Sequence, residues 1–234
     1  MKKIMMIAAM MVVAVSANAQ FEPGTFSIQP KIGANVSWLS NNPGIEVAGK
    51  SITGKTVTLD NAPKAGFVIG AEAEFQLAKM FSLAAGVNYS LQGGGWDDYE
   101  EKADNYKYEV KDFKVSLGYV TVPVVANIYL FKGFAVKGGV QFGFMTNADL
   151  EYSIKNDIDG HKSTEKYSID YKDDLKKVDI SIPIGVSYQV PTIPVVIDGR
   201  FNLGLSRINK DKDYGEKDVK NQVVQVTVGY KFKL

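Results

Sequence analysis

Six charged side chains stand in stretches where charge is otherwise scarce: Lys31 in FSIQPKIGANVSW, Glu72 and Glu74 in AGFVIGAEAEFQLA, Lys137 in FAVKGGVQFGF, and Asp198 and Arg200 in VVIDGRFNLGLS. Each stretch alternates apolar and polar residues, and the charge falls on the polar side. Three cations and three anions are material for ion pairing, because unpaired charges in a dry setting are costly and mutual pairing is the expected solution. Catalysis is harder to assemble from this sequence. His161 is the only histidine and cysteine is absent; no recognisable triad motif surrounds His161, and no convincing paired-carboxylate, Gly-rich phosphate-binding or metal-ligand pattern occurs. Asp157, Asp159 and Gly160 spell DIDG, a fragment of a calcium loop without the downstream ligand series. The expectation is therefore no enzyme, no metal and no cofactor.

The elements that must position these charges are long, two-faced ribbons. Phe26, Ile28, Pro30, Ile32, Ala34, Val36 and Trp38 share one side of the first, opposite Ser27, Gln29, Lys31, Gly33, Asn35 and Ser37. That run is about twice the five or six residues of an ordinary globular strand. The same period of two recurs in AGFVIGAEAEFQLA, FSLAAGVNYSLQ, GYVTVPVVANIYLF, FAVKGGVQFGF, VDISIPIGVSYQ, VVIDGRFNLGLS and QVVQVTVGYKFKL. Pro123 interrupts its ribbon on the polar side, where a bulge or local loss of pairing is expected. Links after the second, fourth and sixth ribbons are short, and the others are long and polar. An even count of about eight with alternating links predicts an all-β fold: an eight-stranded antiparallel up-and-down transmembrane barrel with short periplasmic turns and long extracellular loops.

Period two does not say which face points inward, and a water-soluble eight-stranded barrel with an apolar pocket is the rival. The polar face decides it, being rich in Gly, Ala, Ser, Asn and Gln with few charges, a composition suited to a cramped interior. Aromatic residues on the apolar face fall in two groups. Phe26, Phe75, Phe81, Phe134, Tyr188 and Phe232 lie toward the short-turn end; Trp38, Phe67, Tyr89 and Phe144 lie toward the other. Two aromatic girdles around an aliphatic band match a barrel surrounded by lipid. Counted from the short turns, the six charges sit at similar heights, which predicts a neutral layer of salt bridges plugging the periplasmic half of the interior. A narrow polar path for solutes is the alternative.

The chain begins with Lys2 and Lys3, continues apolar from Ile4 to Val15, and reaches Ala17, Asn18 and Ala19, the pattern of a secretory signal peptide. The expected organisation is a cleaved signal over 1–19 and a barrel domain over 20–234. A net charge of +1 gives no reason to expect a nucleic-acid partner.

GYVTVPVVANIY (Gly118 to Tyr129), RFNLGLSRI (Arg200 to Ile208) and the closing QVVQVTVGYKF together resemble the small outer-membrane β-barrel proteins common in Bacteroidota, the outer membrane protein beta-barrel domain or porin family with PorT-like members. The C-terminal TVGYKFKL is similar to the signal read by the barrel-assembly machinery, with Thr227, Gly229, Phe232 and Leu234 in the polar, glycine, aromatic and hydrophobic roles; the last residue is Leu where Phe is commoner. The resemblance implies a Gram-negative outer-membrane location among lipid and lipopolysaccharide, with the assembly machinery as a partner in biogenesis. It fixes no activity. The functional expectation is a structural or interaction barrel with a side-chain-plugged interior and recognition in its extracellular loops; the alternative is a narrow porin-like channel or transporter for small or hydrophobic solutes.

Overall fold

The computed structural model describes residues 22–41, 45–47, 57–103, 106–210 and 218–234. The segment assigned above to a signal peptide lies outside them. Eight long strands form the wall: β1 (Phe26–Ser40), β2 (Lys64–Ala78), β3 (Phe81–Trp96), β4 (Tyr106–Phe131), β5 (Phe134–Ile158), β6 (Val178–Gln189), β7 (Val195–Gly204) and β8 (Lys220–Tyr230). Each pairs antiparallel with its neighbours in sequence, and β1 pairs with β8 from Lys31↔Gly229 to Ser40↔Lys220, so the sheet closes on itself. Phe232–Lys233 extends the closing seam against β1.

The alternation is inverted relative to a water-soluble protein. Ile32 is 60% exposed and Val226 54%, whereas Lys31 retains 4% exposure and Asp198 none. An apolar exterior and a charged, buried interior make sense only with hydrocarbon outside, and a closed barrel leaves no backbone edge unpaired there. Phe26 faces Phe75 across β1 and β2, while Phe134 lies between Phe131 and Tyr188. Phe81 lies beside Ala78, and the Phe232 ring is 4.6 Å from that of Tyr230. Toward the opposite end the Phe67 and Tyr89 rings are 5.9 Å apart, Trp38 stacks on Phe201 at 6.0 Å, and Phe144 points outward. Phe131 and Tyr230 join the lower aromatic group and were absent from the sequence expectation.

Pro123 does face inward and is fully buried. It stays in register with Gln141 of β5, without a bulge. The ladder to β3 is what it interrupts, between Ala85↔Val124 and Asn88↔Thr121, with no change of register. Pro183 interrupts the β5–β6 ladder in the same way, between Ser181↔Gln141 and Ile184↔Gly138. Each proline lacks one N–H, so one side of its strand is left unladdered.

The alternation in YKYEV and EKYSIDY within the long extracellular links points to strands that continue beyond the membrane. Much of Gly93–Lys114 and Thr146–Lys177 is sheet: β4 and β5 run for 26 and 25 residues, far beyond the roughly ten that cross a bilayer. Tyr99–Ala103 pairs with the top of β4 and His161–Asp170 with the top of β5, making a four-stranded sheet that rises from one side of the wall. Asp159 and Gly160, the end of the DIDG stretch, are the two central residues of the β5 hairpin, with φ of 51° and 82°. Positive φ at both positions is the type I′ turn, which matches the twist of the flanking strands.

Candidate functional site: the barrel interior

β1 and β2 supply Lys31, Glu72 and Glu74; β5 supplies Lys137; β7 supplies Asp198 and Arg200. All six point inward and are buried. Glu72 is the hub. Arg200 grips it with two parallel hydrogen bonds, Nη1 to Oε1 at 2.7 Å and Nη2 to Oε2 at 2.6 Å, and Lys31 donates to the same Oε1. Arg200 also reaches Asp198, Nη2 to Oδ2 at 3.1 Å with Nε 2.7 Å from Oδ1, and Lys137 donates to Asp198 Oδ2. The result is an unbroken ionic chain, Lys31–Glu72–Arg200–Asp198–Lys137, crossing the lumen. A two-point guanidinium–carboxylate fork fixes orientation as well as charge, which a lysine in place of Arg200 would not do.

Glu74 belongs to a separate group. It accepts from Lys231 Nζ at 2.7 Å, from Ser82 Oγ at 2.7 Å and from the Tyr129 hydroxyl. Asn127 in turn donates to Ser82 at 2.9 Å. The single neutral layer of three cations and three anions is thus corrected on two counts: the charges divide into two groups, and Lys231, 5% exposed, is a fourth cation. Its signal was present in the sequence, because Lys231 shares parity with the inward Gln225, Thr227 and Gly229.

Room for these long side chains comes from glycine. Lys31 sits between Gly70 and Gly229, Glu72 opposite Gly86, and Gly185 between Lys137 and Arg200. A Cβ on Gly185 would lie 2.2 Å from the Gly199 carbonyl oxygen and 3.0 Å from Arg200 Cγ. Gly185→Val is expected to prevent closure; the protein, refolded into detergent and run unboiled on a gel, should migrate as the unfolded form, while Val186→Ile on the outer face should migrate as folded.

Above the charges lies a storey of amides and hydroxyls. Asn35 donates to Ser90 at 3.2 Å, Asn202 to Gln225 at 3.2 Å and Asn221 to Gln92 at 2.5 Å. Several buried oxygens here, Asn35 Oδ1, Asn88 Oδ1 and Asn202 Oδ1 among them, have no protein donor, the situation in which internal water is held. Higher still the interior turns apolar. Leu39, Trp96, Leu117, Tyr119, Met145, Ala148, Leu175 and Ile208 belong to one buried cluster. This apolar cap was not anticipated. Leu117 and Tyr119 follow the same inward stripe as Thr121 and Asn127, so the character of one face changes along a strand without any change of period.

On the solvent side, Lys107 and Lys111 each approach Glu109 at 2.9 Å, and these hydrogen bonds, that of Lys107 first, hold the Glu109 carboxyl down to about 2. At the seam, Thr227 points inward, a Cβ on Gly229 would lie 2.5 Å from Gln29 Nε2, and Phe232 and Leu234 face out.

A closed eight-stranded antiparallel barrel with an aliphatic exterior and an ion-paired lumen is an integral outer-membrane β-barrel, surrounded by membrane lipid. The chain belongs to the outer membrane protein beta-barrel domain family, whose profile matches residues 18–210. Among solved structures it is similar to Ail, the attachment invasion locus protein of Yersinia pestis, at 14% identity and a TM-score of 0.41, covering 90% of this chain and 99% of that one. It is also similar to Neisserial surface protein A (14%, 0.40, 88% and 97%) and to the outer membrane protease OmpT of Escherichia coli (12%, 0.33, 91% and 97%). No curated protein matches the sequence.

Proposed function

We propose that this outer-membrane protein is a non-enzymatic interaction barrel: its lumen is a structural plug and recognition resides in the sheet and loops outside the cell. The observation that carries the reading is the double closure of the interior, an ionic chain in the periplasmic half and an apolar cluster in the extracellular half. An eight-stranded barrel is only just wide enough to be filled by its own side chains. The carboxylates of Glu72, Glu74 and Asp198 are each engaged by a cation, which leaves them poor acids or bases for catalysis.

The same reading takes residues 1–19 as a cleaved export signal and 20–234 as the barrel domain. It places the chain with the Bacteroidota-type, PorT-like small barrels on the strength of GYVTVPVVANIY. Lipopolysaccharide surrounds the extracellular rim, and Thr227, Gly229, Phe232 and Leu234 serve as the signal to the assembly machinery.

The protein in planar bilayers under an applied voltage is expected to carry no steady ion current. A wild-type barrel that conducts in discrete steps would overturn the plug and favour a narrow channel for small solutes.

A further inference from the structure

The four-stranded extracellular sheet ends on a strand with an open side. Among the described residues, His161–Asp170 pairs with β5 alone, and all ten of its residues are exposed. The turn at Asp159 and Gly160 settles which backbone groups face that side. In a two-residue hairpin the flanking pair, here Ile158↔His161, exchanges both backbone hydrogen bonds, and such pairs alternate along the ladder. His161, Ser163, Glu165, Tyr167 and Ile169 therefore direct their N–H and C=O groups to β5. Lys162, Thr164, Lys166 and Ser168 direct theirs outward.

A row of rings ends at the same place. Trp96 meets Phe113 edge-on at 5.0 Å, Phe113 stacks on Tyr152 at 5.2 Å, and Tyr152 stacks on Tyr167 at 4.8 Å. The row crosses four consecutive strands and stops at Tyr167, whose hydroxyl is held by Glu165. Tyr167 is 38% exposed and Ile169, on the same face, 48%. The opposite face of this strand carries Lys162 and Lys166.

We propose that this edge takes up an extended strand of a partner protein by β-augmentation, the partner placing an aromatic side chain beside Tyr167 on one face and acidic side chains beside Lys162 and Lys166 on the other. Backbone pairing supplies affinity and the alternate side chains supply selectivity. The ring row selects an aromatic because each added ring stacks on the last, and the two lysines select an acid by charge. A second copy fits less well, since a copy in the same membrane related by an axis along the membrane normal presents its edge parallel, the slightly weaker pairing.

The inference rests on the interaction reading above, yet the two fail separately: conductance would overturn the plug without touching this edge. The probe is a fluorescent ten-residue peptide of alternating aspartate and tyrosine, added to the full-length protein in detergent micelles. Amide exchange at Lys162, Thr164, Lys166 and Ser168 is expected to slow on binding, while Ser163, Glu165 and Tyr167 are protected from the start. Thr164→Pro with Ser168→Pro removes outward donors without touching the β5 ladder and should weaken binding more than tenfold. Tyr167→Ala should weaken it about three- to tenfold, and Lys166→Glu, which lies opposite Ser153 rather than an acid in the β5 ladder, should weaken it at least as much. Equal binding of a peptide with its aspartates and tyrosines in two blocks, unchanged exchange at the four amides, or a dimer in sedimentation that Thr164→Pro dissociates would each overturn the proposal.

Discussion

Arg200→Ala is expected to cost about 3–5 kcal/mol of folding stability, the range for breaking a buried ion pair by removing one partner. Among the described residues, Arg200 alone links Glu72 to Asp198 in the ionic chain. Without it both carboxylates keep a single lysine each, Lys31 and Lys137, and lose the guanidinium fork. The cost comes from anions stranded out of water, so removing one of them should return part of it. Glu72→Ala together with Arg200→Ala should therefore lose less than the sum of the single losses, with a coupling of about 0.5–3 kcal/mol. Urea unfolding of the four proteins in lipid vesicles, followed by tryptophan fluorescence, measures the cycle. Strict additivity would show that the fork contributes nothing beyond its parts.

The second large effect lies on the other face of the wall. Val226→Arg is expected to cost about 2–4 kcal/mol in a bilayer, the penalty for a cation at the midplane of a barrel's lipid face. Val226 pairs with Ala34 and Gly199 near the middle of the seam, so the small neighbours offer no partner for the guanidinium. Ile193→Arg, in the exposed turn between β6 and β7, should cost no more than about 1 kcal/mol, because the turn lies beyond the hydrocarbon. The contrast in depth is the informative result. Were the apolar face bathed in water, arginine would be tolerated equally at both positions.

The strands were legible because one physical constraint acts on every residue: each position faces either lipid or lumen, so period two persists without exception from Phe26 to Trp38. VDISIPIGVSYQ spans Val178–Gln189 in sequence and in structure alike, and the three short links fall where the alternation breaks. Extracellular sheet was harder to read because lipid no longer enforces the pattern above the girdle. Register also shifts there: β4 carries an extra residue between Lys111 and Lys114, and β5 carries one between Met145 and Asn147, and each extra residue exchanges the faces of its own strand.

Within the lumen, the inward parity of Lys31, Glu72, Glu74, Lys137, Asp198 and Arg200 could be counted, but their partnerships could not. Height along the axis depends on strand stagger, and stagger is a property of the closed ring. That is why Glu74, two residues from Glu72, serves a different group. Lys231 is hard to single out in the sequence because it lies in the C-terminal stretch that resembles an assembly signal. The apolar cap escaped because Leu117 and Tyr119 look like strand residues of either face until the loops that bury them are in place.

Lys231 stands three residues before the end of the chain, on the segment that meets β1 last in sequence, and its ammonium completes the shell of Glu74 on β2. A seam that slipped by one residue would send Lys231 into lipid; a slip of two would keep the faces but carry the ammonium about 7 Å from its carboxylate. A mis-zipped cylinder would therefore be marked at the periplasmic mouth by one anion deprived of its cation and held only by the Ser82 and Tyr129 hydroxyls.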